Sequence, residues 1–122
     1  MKLLKKVKTK YKFICPLFRI KVYLILGDKK QLKSITENWE ENHYNAETHV
    51  LYDDKSITKG FLVWLKEKDD YYGMVHETVH LVKRIFEAMQ IPFNEDNHEI
   101  IAYYQNYWVR KFWDKMCKFV KD

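Results

Sequence analysis

From Leu17 to Leu26 the chain reads LFRIKVYLIL, apolar and β-branched, with Arg19 and Lys21 set between apolar neighbours. That alternation, closed by Gly27-Asp28, predicts a first strand. The period then changes: within Lys29 to Asn42, Leu32, Ile35 and Trp39 recur at spacings of three and four, the signature of one helix face. Strand character returns at His49 to Tyr52 and at Ile57 to Leu65, and the turn residues Asp53-Asp54-Lys55-Ser56 between them predict a hairpin. The charged run Glu67 to Asp70 closes this half. Everything after it reads as helical. Tyr71 to Gln90 sets Val75, Val79, Val82, Phe86 and Met89 on one face, and Pro92 stops it. Phe93 to Asn97 is a connector with capping residues Asn94, Asp96 and Asn97. His98 to Val120 is then one long helix with Ile101, Tyr104, Trp108 and Phe112 as its apolar stripe. The order β-α-β-β-α-α is that of an α+β domain: a small sheet of about three strands, antiparallel or mixed, packed against the two later helices.

Composition narrows this picture. The 122 residues suffice for one hydrophobic core and not for two. A hydrophobic content of 47%, with 16% aromatic residues, excludes a disordered chain. The net charge of +5 is unevenly placed. Residues 1–12 hold Lys2, Lys5, Lys6, Lys8, Lys10 and Lys12 and no acid, which leaves the other 110 residues with 16 basic against 17 acidic groups. The basicity therefore belongs to an N-terminal arm over residues 1–12, ahead of a single domain over 13–122. An arm of this kind suits phosphates or acidic lipid, but Tyr11, with Phe13 just beyond it, is all the aromatic character it offers. A nucleic-acid surface needs more of them, interleaved with the cations on one face, so nucleic acid is not the expected partner and a solvated terminus is. No apolar run is long enough to span a bilayer, and no small-residue cleavage site follows the basic start. Cys15 and Cys117 lie near opposite ends without metal-like spacing, so free thiols in a cytoplasmic protein are expected.

The most specific chemistry lies inside the first long helix, where residues 76 to 80 read His76-Glu77-Thr78-Val79-His80. Imidazoles at i and i+4 sit one turn apart on one helix face, so both can reach a single metal ion. They also lie off the line of Val75, Val82, Phe86 and Met89. Glu77 is close enough to work on water held by that metal. The bland alternative is two exposed helical histidines with Glu77 as a solvated charge. A catalytic zinc needs a third protein ligand. Eighteen residues after His80 the next helix opens with Asn97-His98-Glu99, and Glu99 is the expected third ligand, with Asp96 and His98 as rivals. The bland alternative for Glu99 is an acid favoured by the helix macrodipole. His43 and His49 are expected on the surface or in turns.

A His-Glu-x-x-His string, then 18 residues, then a helical glutamate resembles the gluzincin branch of the zincin metallopeptidases. Glu99-Ile100-Ile101-Ala102-Tyr103 is similar to the Glu-x-x-Ala portion of their second zinc-ligand helix. The compact layout resembles small His-Glu-x-x-His proteins encoded in bacteriophage genomes, which would put this chain in a host cytoplasm. The resemblance covers roughly residues 71 to 110. It implies a zincin-like fold, Zn2+ held by His76, His80 and Glu99, and Glu77 as general base on the metal-bound water during hydrolysis of a peptide or protein. It also implies a further oxyanion donor, from among Tyr103, Tyr107, His98 and His49, with Tyr103 favoured because it lies one turn from Glu99. Thermolysin-like enzymes carry a supporting carboxylate where this chain has Tyr103, and a second domain for which it has no room. The rival function class is therefore a non-catalytic protein that binds a host factor, built on the same scaffold with a structural or vestigial metal.

Overall fold

The computed structural model describes residues 11–33 and 44–120. It is α+β, with a mixed four-stranded sheet and three helices, the last of them long. The elements are β1 (Tyr11–Ile14), β2 (Lys21–Leu26), α1 (Lys30–Lys33), β3 (Ala46–Tyr52), β4 (Thr58–Leu65), α2 (Tyr71–Ala88) and α3 (His98–Met116), with short 3-10 turns at Glu95–Asn97 and Cys117–Phe119.

The strand order is β1-β2-β4-β3. β1 pairs antiparallel with β2, β2 runs parallel to β4, and β4 pairs antiparallel with β3 through the expected hairpin. The expectation of three strands is corrected to four. The segment LFRIKVYLIL does not run as one strand: Cys15 N–H donates to the Ile20 carbonyl and Arg19 N–H to the Cys15 carbonyl, closing a tight turn with Arg19 at φ 54°. Alternation hid this turn, and the extra strand begins at Tyr11, inside the stretch read as arm. Residues 1–10 lie outside the described residues, as do 34–43, which hold most of the expected helix from Lys29 to Asn42, with Ile35 and Trp39, and also His43.

Both sheet faces are covered. Val22, Leu24, Phe61, Val63 and Leu65 point toward α2 and α3. The alternate residues Tyr23, Ile25, Leu62 and Trp64, with Leu51, form a second cluster closed by Leu32 of α1. The period-2 side-chain alternation of strands feeds two cores from one sheet, and it explains why Phe61 to Leu65 is apolar without a break.

The buried stripe of α2 is Met74, Thr78, Leu81, Val82, Ile85 and Phe86, joined by Glu77. This corrects the expected face, because Val79 and Met89 are 41% and 38% exposed. Asp70 caps the helix by accepting from Gly73 N–H at 2.9 Å. A Cβ at position 73 would collide with that carboxylate, so the glycine is what admits the cap. The helix ends where Gln90 turns left-handed at φ 58° and Ile91 N–H donates back to the Phe86 carbonyl at 2.8 Å. α3 returns antiparallel to α2: Tyr71 meets Trp113 at 5.1 Å between ring centroids, and Phe86 meets Tyr104 at 6.1 Å. Its buried stripe is Tyr104, Trp108, Phe112 and Met116. Among the described residues, no helix is long and apolar enough to cross a membrane.

Candidate functional site

His76, Glu77 and His80 leave α2 on the side that faces β3. The core stripe fixes this: with Met74, Thr78 and Leu81 buried, the 100° per residue of an α-helix turns positions 76 and 80 outward on a common flank. Their Nε2 atoms stand 3.2 Å apart, with the rings edge to face at 4.9 Å between centroids. Two imidazole nitrogens bound to one tetrahedral zinc at its usual ligand distance would be about 3.3 Å apart, so the pair has the spacing of two such ligands. One donor atom from each of His76, Glu77 and His80 lies within 4.8 Å of the others, and this is the group of potential metal ligands that the described residues bring together.

Glu77 is not a solvated charge. It is 6% exposed, and a buried carboxylate is costly unless hydrogen-bonded. Thr48 on β3 supplies the bond: its hydroxyl lies 2.8 Å from Glu77 Oε1 and 3.2 Å from the Glu77 carbonyl oxygen. The register places Thr48 opposite Val63, on the sheet face turned to α2. Glu77 Oε2 is left 3.8 Å from His76 Nε2. One carboxylate oxygen is thus held by the strand and the other looks toward the imidazole pair.

These groups line a cavity of about 330 Å³ between α2 and β3, shared with Tyr44, Glu47, His49 and Arg84. Arg84 follows His76 and His80 at i+8 and i+4 and pairs with Glu87 at 3.2 Å. On β3, His49 Nε2 lies 3.3 Å from Glu47 Oε1, and Lys29 reaches the other oxygen of Glu47 at 3.5 Å. Burial holds the His49 pKa below the usual imidazole value, with the Glu47 carboxylate pulling the other way.

The remaining expected site residues lie elsewhere. Glu99 sits in the first turn of α3, exposed, with Oε1 at 3.4 Å from its neighbour His98 Nε2, and it does not enter the His76–Glu77–His80 group. His98 Nδ1 lies 2.6 Å from the Glu95 carbonyl oxygen. Tyr103 is 73% exposed and, with Tyr107, lines hollows on α3 rather than the cavity beside β3. Of the four candidate oxyanion donors, the cavity contains His49 alone. Both cysteines are free thiols; buried Cys15 accepts from the Tyr104 hydroxyl at 3.2 Å.

Thr48 had no local signal in the sequence, because only strand register brings it against α2. Arg84 had one: it continues the i, i+4 row of the two histidines. No family model, no curated protein and no solved structure matches the chain.

Proposed function

We propose that the chain is a small zinc-dependent hydrolase of zincin-like build, acting on a peptide or protein in the cleft between α2 and β3. The observation that carries this reading is the burial of Glu77 beside a metal-spaced imidazole pair, with Thr48 holding one of its oxygens. A glutamate with no chemical task at this position would cost stability to bury, and an apolar residue would serve the packing better.

His76 and His80 would hold the ion through Nε2; the third potential ligand of the group is Glu77 itself, so with Glu77 kept as base the other coordination positions would fall to water and substrate. When bound, zinc supplies a Lewis acid and an acidified water at neutral pH. The chain's own part is to place a base and a substrate. Thr48 fixes the Glu77 carboxylate through Oε1, leaving Oε2 to take a proton from water and return it to the leaving amine. β3 is the last strand in the sheet order and forms the far wall of the cleft. His49 borders the cavity, but its register partner is Leu62, so strand alternation turns its ring to the sheet face opposite Thr48, beside Glu47, and it is assigned no role as oxyanion donor.

The non-catalytic reading draws support from one specific feature, the position of Glu99 outside the group of ligands. The Glu77→Gln variant separates the two. It is expected to retain zinc by elemental analysis while hydrolysis of a fluorogenic peptide library falls about 10²- to 10⁴-fold. Unchanged hydrolysis would overturn the mechanism. A zinc-loaded wild type that cleaves no peptide would favour the non-catalytic alternative.

A further inference from the structure

The outer face of α3 has no part in the cavity beside β3, yet it is built like a surface that is meant to be covered. Ile100 and Tyr103 are 53% and 73% exposed, and Leu17, on the β1–β2 turn beside them, is 70% exposed. They border an apolar hollow of about 360 Å³ that reaches down to Cys15 and Tyr104. Tyr103 and Tyr107 divide it from a second hollow of about 590 Å³, of mixed lining, that includes Asn106, Arg110, Lys111 and Asp114. Large apolar side chains gathered on one exposed face mark interaction surfaces more often than scattered ones do.

Charge along this face says what covers it. Glu99 stands at one end and Arg110 at the other. They are eleven residues apart, three turns of helix, so they share nearly the same azimuth and lie about 16 Å apart along the axis. Tyr103 and Asn106 fall between them on the same row. Arg110 makes no ion pair among the described residues, and Glu99 has only its exposed neighbour His98. Asp114, one turn beyond Arg110 in the same hollow, is already paired with Lys115 at 3.5 Å, which leaves the row self-complementary between its ends: acid, tyrosine, amide, cation. A second copy laid antiparallel against it, about a two-fold axis midway between Tyr103 and Asn106, brings each Glu99 to the other copy's Arg110. The tyrosines are then packed at the centre. That is the requirement of an isologous interface.

We propose that the outer face of α3 is the interface of a two-fold symmetric homodimer, with Tyr103 at its centre and reciprocal Glu99–Arg110 pairs at its ends. The strip is short, so the dimer belongs at the weak end of specific interfaces, with a dissociation constant of roughly micromolar order. Nothing in this assignment depends on the metal reading.

Sedimentation equilibrium of the full chain over a range of concentrations tests it. The wild type is expected to dimerise reversibly. Glu99→Arg and Arg110→Glu are each expected to weaken the dimer about tenfold, since two like-charge contacts replace two attractive ones. The double variant carrying both changes should recover to within about threefold of wild type, because the pair is restored with its signs exchanged. Tyr103→Ser should weaken the dimer more than either single charge reversal. All three positions are exposed, and far-ultraviolet circular dichroism checks that the fold is kept. A chain that stays monomeric at several hundred micromolar would overturn the proposal. So would single reversals without effect, or a double reversal that fails to recover.

Discussion

α2 and α3 lie side by side, and each carries residues whose chemistry stands out in the sequence, yet they use them differently. α2 turns His76 and His80 toward β3 and sinks Glu77 against Thr48, so that three side chains and a strand share one cavity. α3 turns Glu99 and Tyr103 to solvent on another surface. The difference lies in what fixes each set. Spacing within one helix is set by 3.6 residues per turn and survives any change in the rest of the fold. Spacing across a connection depends on where the first helix ends. α2 runs eight residues beyond His80, about 12 Å, before Gln90 and Pro92 turn the chain. Glu99 is the second residue of α3, so it emerges near the C-terminal end of α2, well down the axis from the imidazole pair.

The largest expected effect tests this contrast directly. If the group holds zinc as proposed, His76→Ala or His80→Ala should lower zinc affinity more than about a hundredfold, because each removes one of its two imidazoles. Glu99→Gln should change it less than about twofold. Isothermal titration with zinc measures both. An equal loss in the Glu99 variant would mean that α3 reaches the site after all, and the contrast between the two helices would collapse.

The same contrast governs how far the sequence could be read. The positions of α2 and α3, the β3–β4 hairpin and the outward placement of His76 and His80 follow from local periods and turn residues. β1 did not, because alternation through Leu17, Arg19 and Lys21 looks the same whether the chain runs straight or folds back at Cys15. The face of α2 was read one position askew. Val82 and Phe86 are buried as the stripe predicts, but Val79 and Met89 fit it as well as Met74, Leu81 and Ile85 do, and only the packing decides which are buried. The burial of Glu77 was out of reach for the same reason. It depends on Thr48, 29 residues earlier, which strand register alone brings into contact.

A middle-sized effect follows from that contact. Thr48→Val keeps the shape of the side chain and removes the hydroxyl that Glu77 Oε1 accepts from. A carboxylate that is 6% exposed then lacks its strand donor, and a hydrogen bond to a charged group is worth about 1.5–3 kcal/mol. Urea unfolding should register a loss of that order. On the proposed hydrolase reading, hydrolysis by the zinc-loaded protein should fall roughly tenfold while metal content stays constant, since the base is less well held. Full activity in Thr48→Val would show that the strand covers the site without positioning Glu77. The β3–α2 region would then differ from the α3 face in burial only.

The smallest effects are in pH dependence, and the two regions should respond at opposite ends of the scale. On the β3 side, burial depresses the His49 pKa below its ordinary value of 6.5. The folded chain therefore prefers the neutral ring. The stability tied to that preference is full above about pH 6.5 and is lost as pH falls from there through the lower folded-state value, because the unfolded chain takes up a proton first. On the α3 side, burial pushes the Tyr107 phenol above 10, and the nearby Cys15 thiol adds to the shift. The folded state there prefers the protonated phenol, so its contribution is intact below pH 10 and is lost as pH rises through the folded value. Urea midpoints followed from pH 8 down to 5.5 should fall less steeply in His49→Gln than in wild type. The same midpoints from pH 9 to 11 should fall less steeply in Tyr107→Phe. Each variant should leave the other arm unchanged, because the two side chains line different hollows. A His49→Gln chain whose acid arm matches wild type would show that the ring beside Glu47 is no less solvated in the fold than in the unfolded chain.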